Sequence, residues 1–172
     1  MATPRITRHF VTVRGERQVH YRRAGSGPPV VLLHQSPTSS SECVPLIQEL
    51  AQEFTVFSPD TAGNGLSDPL PKDWPDMEDF ADGVANLLDA LRLPEVPVYG
   101  FHTGGVCALA MGLRHPKRAS VYVMNGYLQM EKEEREEFLV HYLPAFAPEW
   151  SGAYLTWAWS RFREQSIFFP WY

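Results

Sequence analysis

Gly100-Phe101-His102-Thr103-Gly104-Gly105 is the stretch whose reading decides the fold. Before it, Val96-Pro97-Val98-Tyr99 is a short β-prone run; after it, residues 103–114 are patterned as a helix that His115-Pro116 stops. A strand that passes into a helix through so few residues needs a sharp, strained turn. Small residues must stand where the two backbones approach, and the glycines at 100, 104 and 105 meet that need. Such a turn lifts its central side chain, here His102, above the end of the sheet. The free N–H groups of the helix start lie beside it and favour developing negative charge.

Working outward, the chain alternates strands and helices. Phe10-Val11-Thr12-Val13 and Val19-His20-Tyr21-Arg22 read as short strands joined by a hairpin turn at Gly15-Glu16. Pro29-Val30-Val31-Leu32-Leu33 is continuously apolar, the pattern of a parallel strand buried on both faces. A helix is expected over 42–53 from Cys43, Leu46, Ile47 and Leu50, with Pro45 tolerable in its first turn. A strand over 54–58 ends at Pro59-Asp60 and the Gly63-Asn64-Gly65 loop. Residues 76–91 place Phe80, Val84, Leu87, Leu88 and Leu91 on one helical face, and Val121-Tyr122-Val123-Met124 is the next strand. Alternation of this kind implies an α/β fold: a mostly parallel, twisted sheet with helices on both faces. From Gly126 the character changes, with two helical patterns, 132–142 and 149–163, and no strand between them. The expected organisation is a core over 1–126 and a helical, lid-like region over 127–172.

Composition bounds the function. The chain has 172 residues, enough for one domain, with 44% hydrophobic and 20% charged residues, so apolar burial can offset chain entropy. A net charge of -5 leaves no basic footprint for nucleic acid. The apolar runs are far short of a membrane span, and Met1 to Phe10 holds no signal-like apolar region. Cys43 and Cys107 lack metal-ligand spacing and read as reduced thiols, which makes the cytoplasm the expected compartment. His9, His20, His115 and His141 sit on unrelated elements, so neither a metal nor another cofactor is expected.

Two further segments place the 100–105 turn in a family. Leu32-Leu33-His34-Gln35-Ser36-Pro37 resembles the H-G-x-P oxyanion loop of α/β-hydrolases, with Gln35 where that loop has glycine. Residues 60–68, Asp60-Thr61-Ala62-Gly63-Asn64-Gly65-Leu66-Ser67-Asp68, resemble the family's D-x-x-G-x-G-x-S-D segment. With Tyr21-Arg22-Arg23-Ala24-Gly25, the resemblance runs from about residue 8 to residue 126. It is nearest to bacterial members whose G-x-S-x-G nucleophile elbow reads H-T-G, His102 standing where serine is usual. The resemblance implies that the backbone N–H groups of Ser36 and Thr103 are oxyanion donors. It also implies that His34 braces its loop without transferring protons, and that Asp60 and Ser67 shape the loop and sheet edge.

For His102 three readings stand: nucleophile, general base, or marker of an elbow that has lost acyl-transfer chemistry. Facing the cleft from the elbow tip favours a catalytic role. The Thr103 hydroxyl should point into its helix, out of reach of a base, and Cys107 reads as a small core residue. Ser36 offers a hydroxyl, although Ser-Pro is common turn chemistry. Residues 131–137, rich in glutamate, read as a solvated helix start, while Trp150, Tyr154, Trp157 and Trp159 either line an aromatic pocket or pack a lid.

A Ser-Asp-His type of triad needs an acid and a histidine after the lid, and the chain stops before either. Its apolar terminus, Ile167-Phe168-Phe169-Pro170-Trp171-Tyr172, and an apolar edge strand over 120–125 point to a truncated frame whose edge invites self-association. Asn125, where some relatives keep their acid, is expected to be able to orient a histidine. The leading reading is a hydrolase of a small ester, lactone or related carbonyl compound. The alternatives are a cofactor-free lyase in which His102 abstracts a proton, and a catalytically silent binding protein or fragment.

Overall fold

The computed structural model describes residues 4–126, 129–141 and 147–165. The expected terminal run 167–172 lies outside them. The chain divides into two compact units, Met1–Tyr127 and Leu128–Tyr172.

The first unit is built on a six-stranded sheet. Its strands are β1 (Thr7–Thr12), β2 (Gln18–Ala24), β3 (Pro29–Leu33), β4 (Thr55–Pro59), β5 (Val98–Phe101) and β6 (Tyr122–Asn125). The spatial order is β1-β2-β4-β3-β5-β6. The hairpin β1-β2 and the β2-β4 pair are antiparallel; β3, β4, β5 and β6 run parallel to one another. The hairpin turn falls at Gly15 and Glu16, both at positive φ (79° and 59°), a conformation open to glycine and costly for glutamate.

Three helices connect the parallel strands: α1 (Val44–Leu50), α2 (Met77–Ala90) and α3 (Thr103–Arg114). Side chains alternate along β3. Val31 and Leu33 join Val84, Leu88, Ala108 and Met111 on the α2/α3 side. Val30 and Leu32 join Cys43, Ile47 and Val56 on the α1 side. Both faces are therefore covered, which is why Pro29–Leu33 has no polar position to expose. Asp76 caps α2 by accepting from the Glu78 and Asp79 N–H groups, and Asp79 returns a bond to the Asp76 N–H. Arg114 at the end of α3 ties the two helices together through a bidentate pair with Asp82 and a bond to Glu78.

Two boundaries depart from the sequence reading for identifiable reasons. β5 starts at Val98 because Pro97 has no N–H to give; its carbonyl accepts from Val31 instead. α1 starts at Val44 because residues 42–44 make i→i−3 turn bonds, such as Cys43 N–H to the Ser40 carbonyl. Cys43 and Cys107 are buried free thiols.

The second unit contains α4 (Lys132–His141) and α5 (Ala153–Gln165). Trp150 and Trp159 are exposed, while the Arg161 guanidinium lies over the Trp157 ring at 5.4 Å. No helix among the described residues is long and apolar enough to cross a membrane.

Candidate active site

His102 stands between β5 and α3 at φ 50°, ψ -113°, a left-handed backbone that a side chain adopts only under constraint. The constraint is visible on both sides. The His102 N–H donates to the Asn125 carbonyl at 2.7 Å, and its own carbonyl accepts from Gly105 and Val106. A Cβ on Gly100 would lie 2.0 Å from the Gly104 carbonyl oxygen, and one on Gly104 would lie 2.3 Å from that of Leu33. Strand and helix thus pack backbone to backbone at the turn, and glycine is the residue that fits.

The imidazole itself is loosely held. Its Nδ1 lies 3.3 Å from Thr103 Oγ1, and no other side-chain bond to it is present among the described residues. The Asn125 side-chain amide donates to the Tyr99 hydroxyl at 2.8 Å. The expectation that Thr103 points into its helix, out of reach of a base, is corrected. As first residue of α3 it turns its hydroxyl back to His102 and borders an apolar cleft.

That cleft is small and is lined by His34, Ser36, Thr61, Met77, Phe80, Thr103, Gly104 and Cys107. His102 is not part of the lining; its neighbour is. Ser36 and Thr103 arrive from loops after adjacent parallel strands, β3 and β5, and neither backbone N–H makes a hydrogen bond among the described residues. Two unpaired amides on one apolar cleft form a place where an oxyanion can be held. Cys107 is no competitor for the chemistry, because burial pushes its thiol up to about 12.

His34 is committed elsewhere. Its Nε2 accepts from the Thr61 N–H at 2.9 Å, so the ring proton belongs on Nδ1, which donates to the Gln35 carbonyl at 2.7 Å. Both nitrogens being used in the neutral form, the ring ties the loop after β3 to the loop after β4. The Gln35 side chain is drawn to Glu42, whose carboxylate also accepts from the Gln35 N–H and from Thr38 Oγ1. Glu42 escaped the sequence reading because only the folded turn brings it back onto residues 35–38.

Asp60 supports the site from below and is 2% exposed. Its carboxylate accepts from the Ser40 N–H (2.8 Å), the Leu66 N–H (2.9 Å) and His20 Nδ1 (2.8 Å). Burial opposes its charge, but hydrogen bonds from Ser40, the Leu66 amide and His20 outweigh burial and hold the carboxyl below its ordinary range. Ser67 accepts from the His20 N–H and donates to the Asp60 carbonyl, which closes the network. His20 and Asp60 lie 40 residues apart in the chain, so no local spacing signals that they meet. Met77 and Phe80 of α2 also reach the cleft, and nothing in their helical spacing signals it. No cluster able to hold a metal ion is present among the described residues.

Comparison with known proteins bears on the fold. A family model described as the alpha/beta hydrolase fold matches residues 28–156. The chain is 41% identical over 103 residues to a soluble epoxide hydrolase of Corynebacterium sp., covering 60% of this chain and 35% of that one. It is 34% identical to a 2-hydroxy-6-oxononadienedioate/2-hydroxy-6-oxononatrienedioate hydrolase of Paraburkholderia xenovorans, covering 72% of this chain and 46% of that one. The solved structure of an enol-lactonase from Burkholderia xenovorans superposes with a TM-score of 0.61 at 29% identity, covering 66% of this chain and 45% of that one. The chain spans about a third to just under half the length of these curated relatives.

Proposed function

Because this chain belongs to the α/β-hydrolase fold family, we propose that its parent activity is hydrolysis of a small ester, lactone or related carbonyl compound at the cleft beside His102. One observation carries the reading: Ser36 and Thr103, whose backbone N–H groups are unpaired among the described residues, line one apolar cleft, and the Thr103 hydroxyl lies beside the His102 imidazole. A carbonyl oxygen bound there gains stabilisation as it becomes an oxyanion, which accelerates acyl transfer and does little for ground-state binding. His102 supplies the group that moves a proton or attacks. His34, Gln35 and Asp60 hold the loops that carry the two amides. The names of two relatives, an enol-lactonase and a dioate hydrolase, favour small carbonyl substrates. We read the helical unit Leu128–Tyr172 as the start of a lid.

The test is steady-state hydrolysis of p-nitrophenyl acetate and of a simple lactone by the protein and by His102→Ala. The variant is expected to lose about 10²-fold or more in kcat, the scale of a general acid–base or nucleophilic group. Equal turnover by the variant, or no hydrolysis by the unmodified protein, sinks the proposal.

A further inference from the structure

We infer that Thr103 is the nucleophile and that His102 is its base, so the reactive hydroxyl is displaced by one residue from the usual elbow position. This rests on the hydrolase reading above and assigns the two roles within it. Three observations carry it. Thr103, and not His102, lines the cleft together with Ser36. Thr103 Oγ1 lies 3.3 Å from His102 Nδ1, a separation that apo sites commonly show before substrate tightens them. His34, which does line the cleft, has both nitrogens occupied by Gln35 and Thr61 and cannot serve as the base.

The donors fit the displaced nucleophile. With attack from Thr103 Oγ1, the oxyanion is held by the Ser36 amide and by the nucleophile's own amide, an arrangement that serine proteases also use. Gly104 borders the same cleft at the second position of α3, where a helix N–H has no intrahelical acceptor, and adds a third donor.

The chemistry balances with water as the only co-reactant. Neutral His102, protonated on Nε2, takes the Thr103 hydroxyl proton on Nδ1 as Oγ1 bonds to the ester carbonyl carbon; the carbonyl π pair moves to oxygen. Collapse of the tetrahedral species breaks the bond to the leaving alkoxide, which takes the proton from Nδ1. Water then gives a proton to Nδ1, bonds to the acyl carbon and releases Thr103 Oγ1, which recovers that proton. The products are acid and alcohol, and the enzyme is unchanged. No carboxylate contacts His102 among the described residues, so the base acts unassisted and turnover should be slow compared with a full triad.

The experiment is acid-quenched reaction of the protein with p-nitrophenyl acetate, followed by peptide mapping of the acetyl group by tandem mass spectrometry. The acetyl is expected on the Thr103 hydroxyl. Thr103→Ser should retain adduct and turnover, while Thr103→Val should lose the adduct and about 10²-fold in turnover at an unchanged melting temperature. Acetyl on His102, turnover with no trapped adduct, or wild-type turnover by Thr103→Val overturns the assignment. If Thr103→Val keeps its turnover while His102→Ala loses it, this inference fails and the hydrolase reading stands. If neither variant changes turnover, or the protein hydrolyses nothing, the hydrolase reading fails first.

Discussion

The loop that begins at Asp60 and the elbow at His102 stand at the ends of parallel strands, yet they are held in opposite ways. Asp60 is over-determined: two amides and an imidazole converge on one buried carboxylate, and a Cβ on Gly65 would come 2.1 Å from its Oδ2. At the elbow the backbone is equally fixed, but the His102 ring makes a single side-chain hydrogen bond among the described residues, at 3.3 Å. The difference separates frame from tool. Where a group has only to position loops, several donors fix it; where a group has to exchange a proton, the fold fixes the backbone and leaves the side chain open.

Three substitutions sharpen or break that contrast. Gly104→Ala should have the largest effect, because its Cβ would meet the Leu33 and His34 carbonyl oxygens at 2.3 and 2.7 Å. Backbone cannot yield there as a side-chain tip can, and a loss of about 4 kcal/mol or more is expected in urea unfolding. A mild effect would mean that strand and helix are less tightly joined at the elbow than described.

Asp60→Asn keeps the shape and removes the charge that two amides and His20 share. The expected cost is about 2–4 kcal/mol, since a charged acceptor of buried donors is lost. The sign of the pH dependence follows from the depressed carboxyl. Its stabilising contribution is complete above its ordinary value of 3.8 and is lost as pH falls through the lower folded value. Melting temperature against pH should therefore fall less steeply on the acid side for Asp60→Asn than for the unmodified protein. Parallel acid limbs would show that Asp60 is not the group that titrates.

His102→Gly should have the smallest effect on stability, and of the opposite sign. Glycine accepts φ 50° without strain, so the variant is expected to gain about 1 kcal/mol while losing hydrolysis. A variant that is both less stable and inactive would mean that the imidazole is part of the frame, and the contrast with Asp60 would collapse.

Most of the fold was legible because its signals are local. The apolar run Pro29–Leu33, the face of α2 and the glycines at 100 and 104 each report their environment through the residue type they demand. α3 lies where its patterning puts it, and β5 slipped by two residues because of one missing N–H at Pro97. The candidate site was legible only in part. His34, Ser36, Asp60, His102 and Thr103 stand out in the sequence because each belongs to a short segment with its own turn chemistry. Glu42, His20, Met77 and Phe80 do not, since what they do depends on partners far along the chain or on a turn that closes only on folding.

The sequence by itself determined that a strand turns into a helix at residues 100–105, and that His102 takes the tip of that turn. Tight backbone geometry admits few residue types, so this much is written in the chain. Tertiary structure alone decided which neighbour meets the cleft, which histidine is already spent, and which unpaired amides belong to residues on one cleft. Those are matters of direction in space, and two residues adjacent in sequence, His102 and Thr103, can differ in them completely.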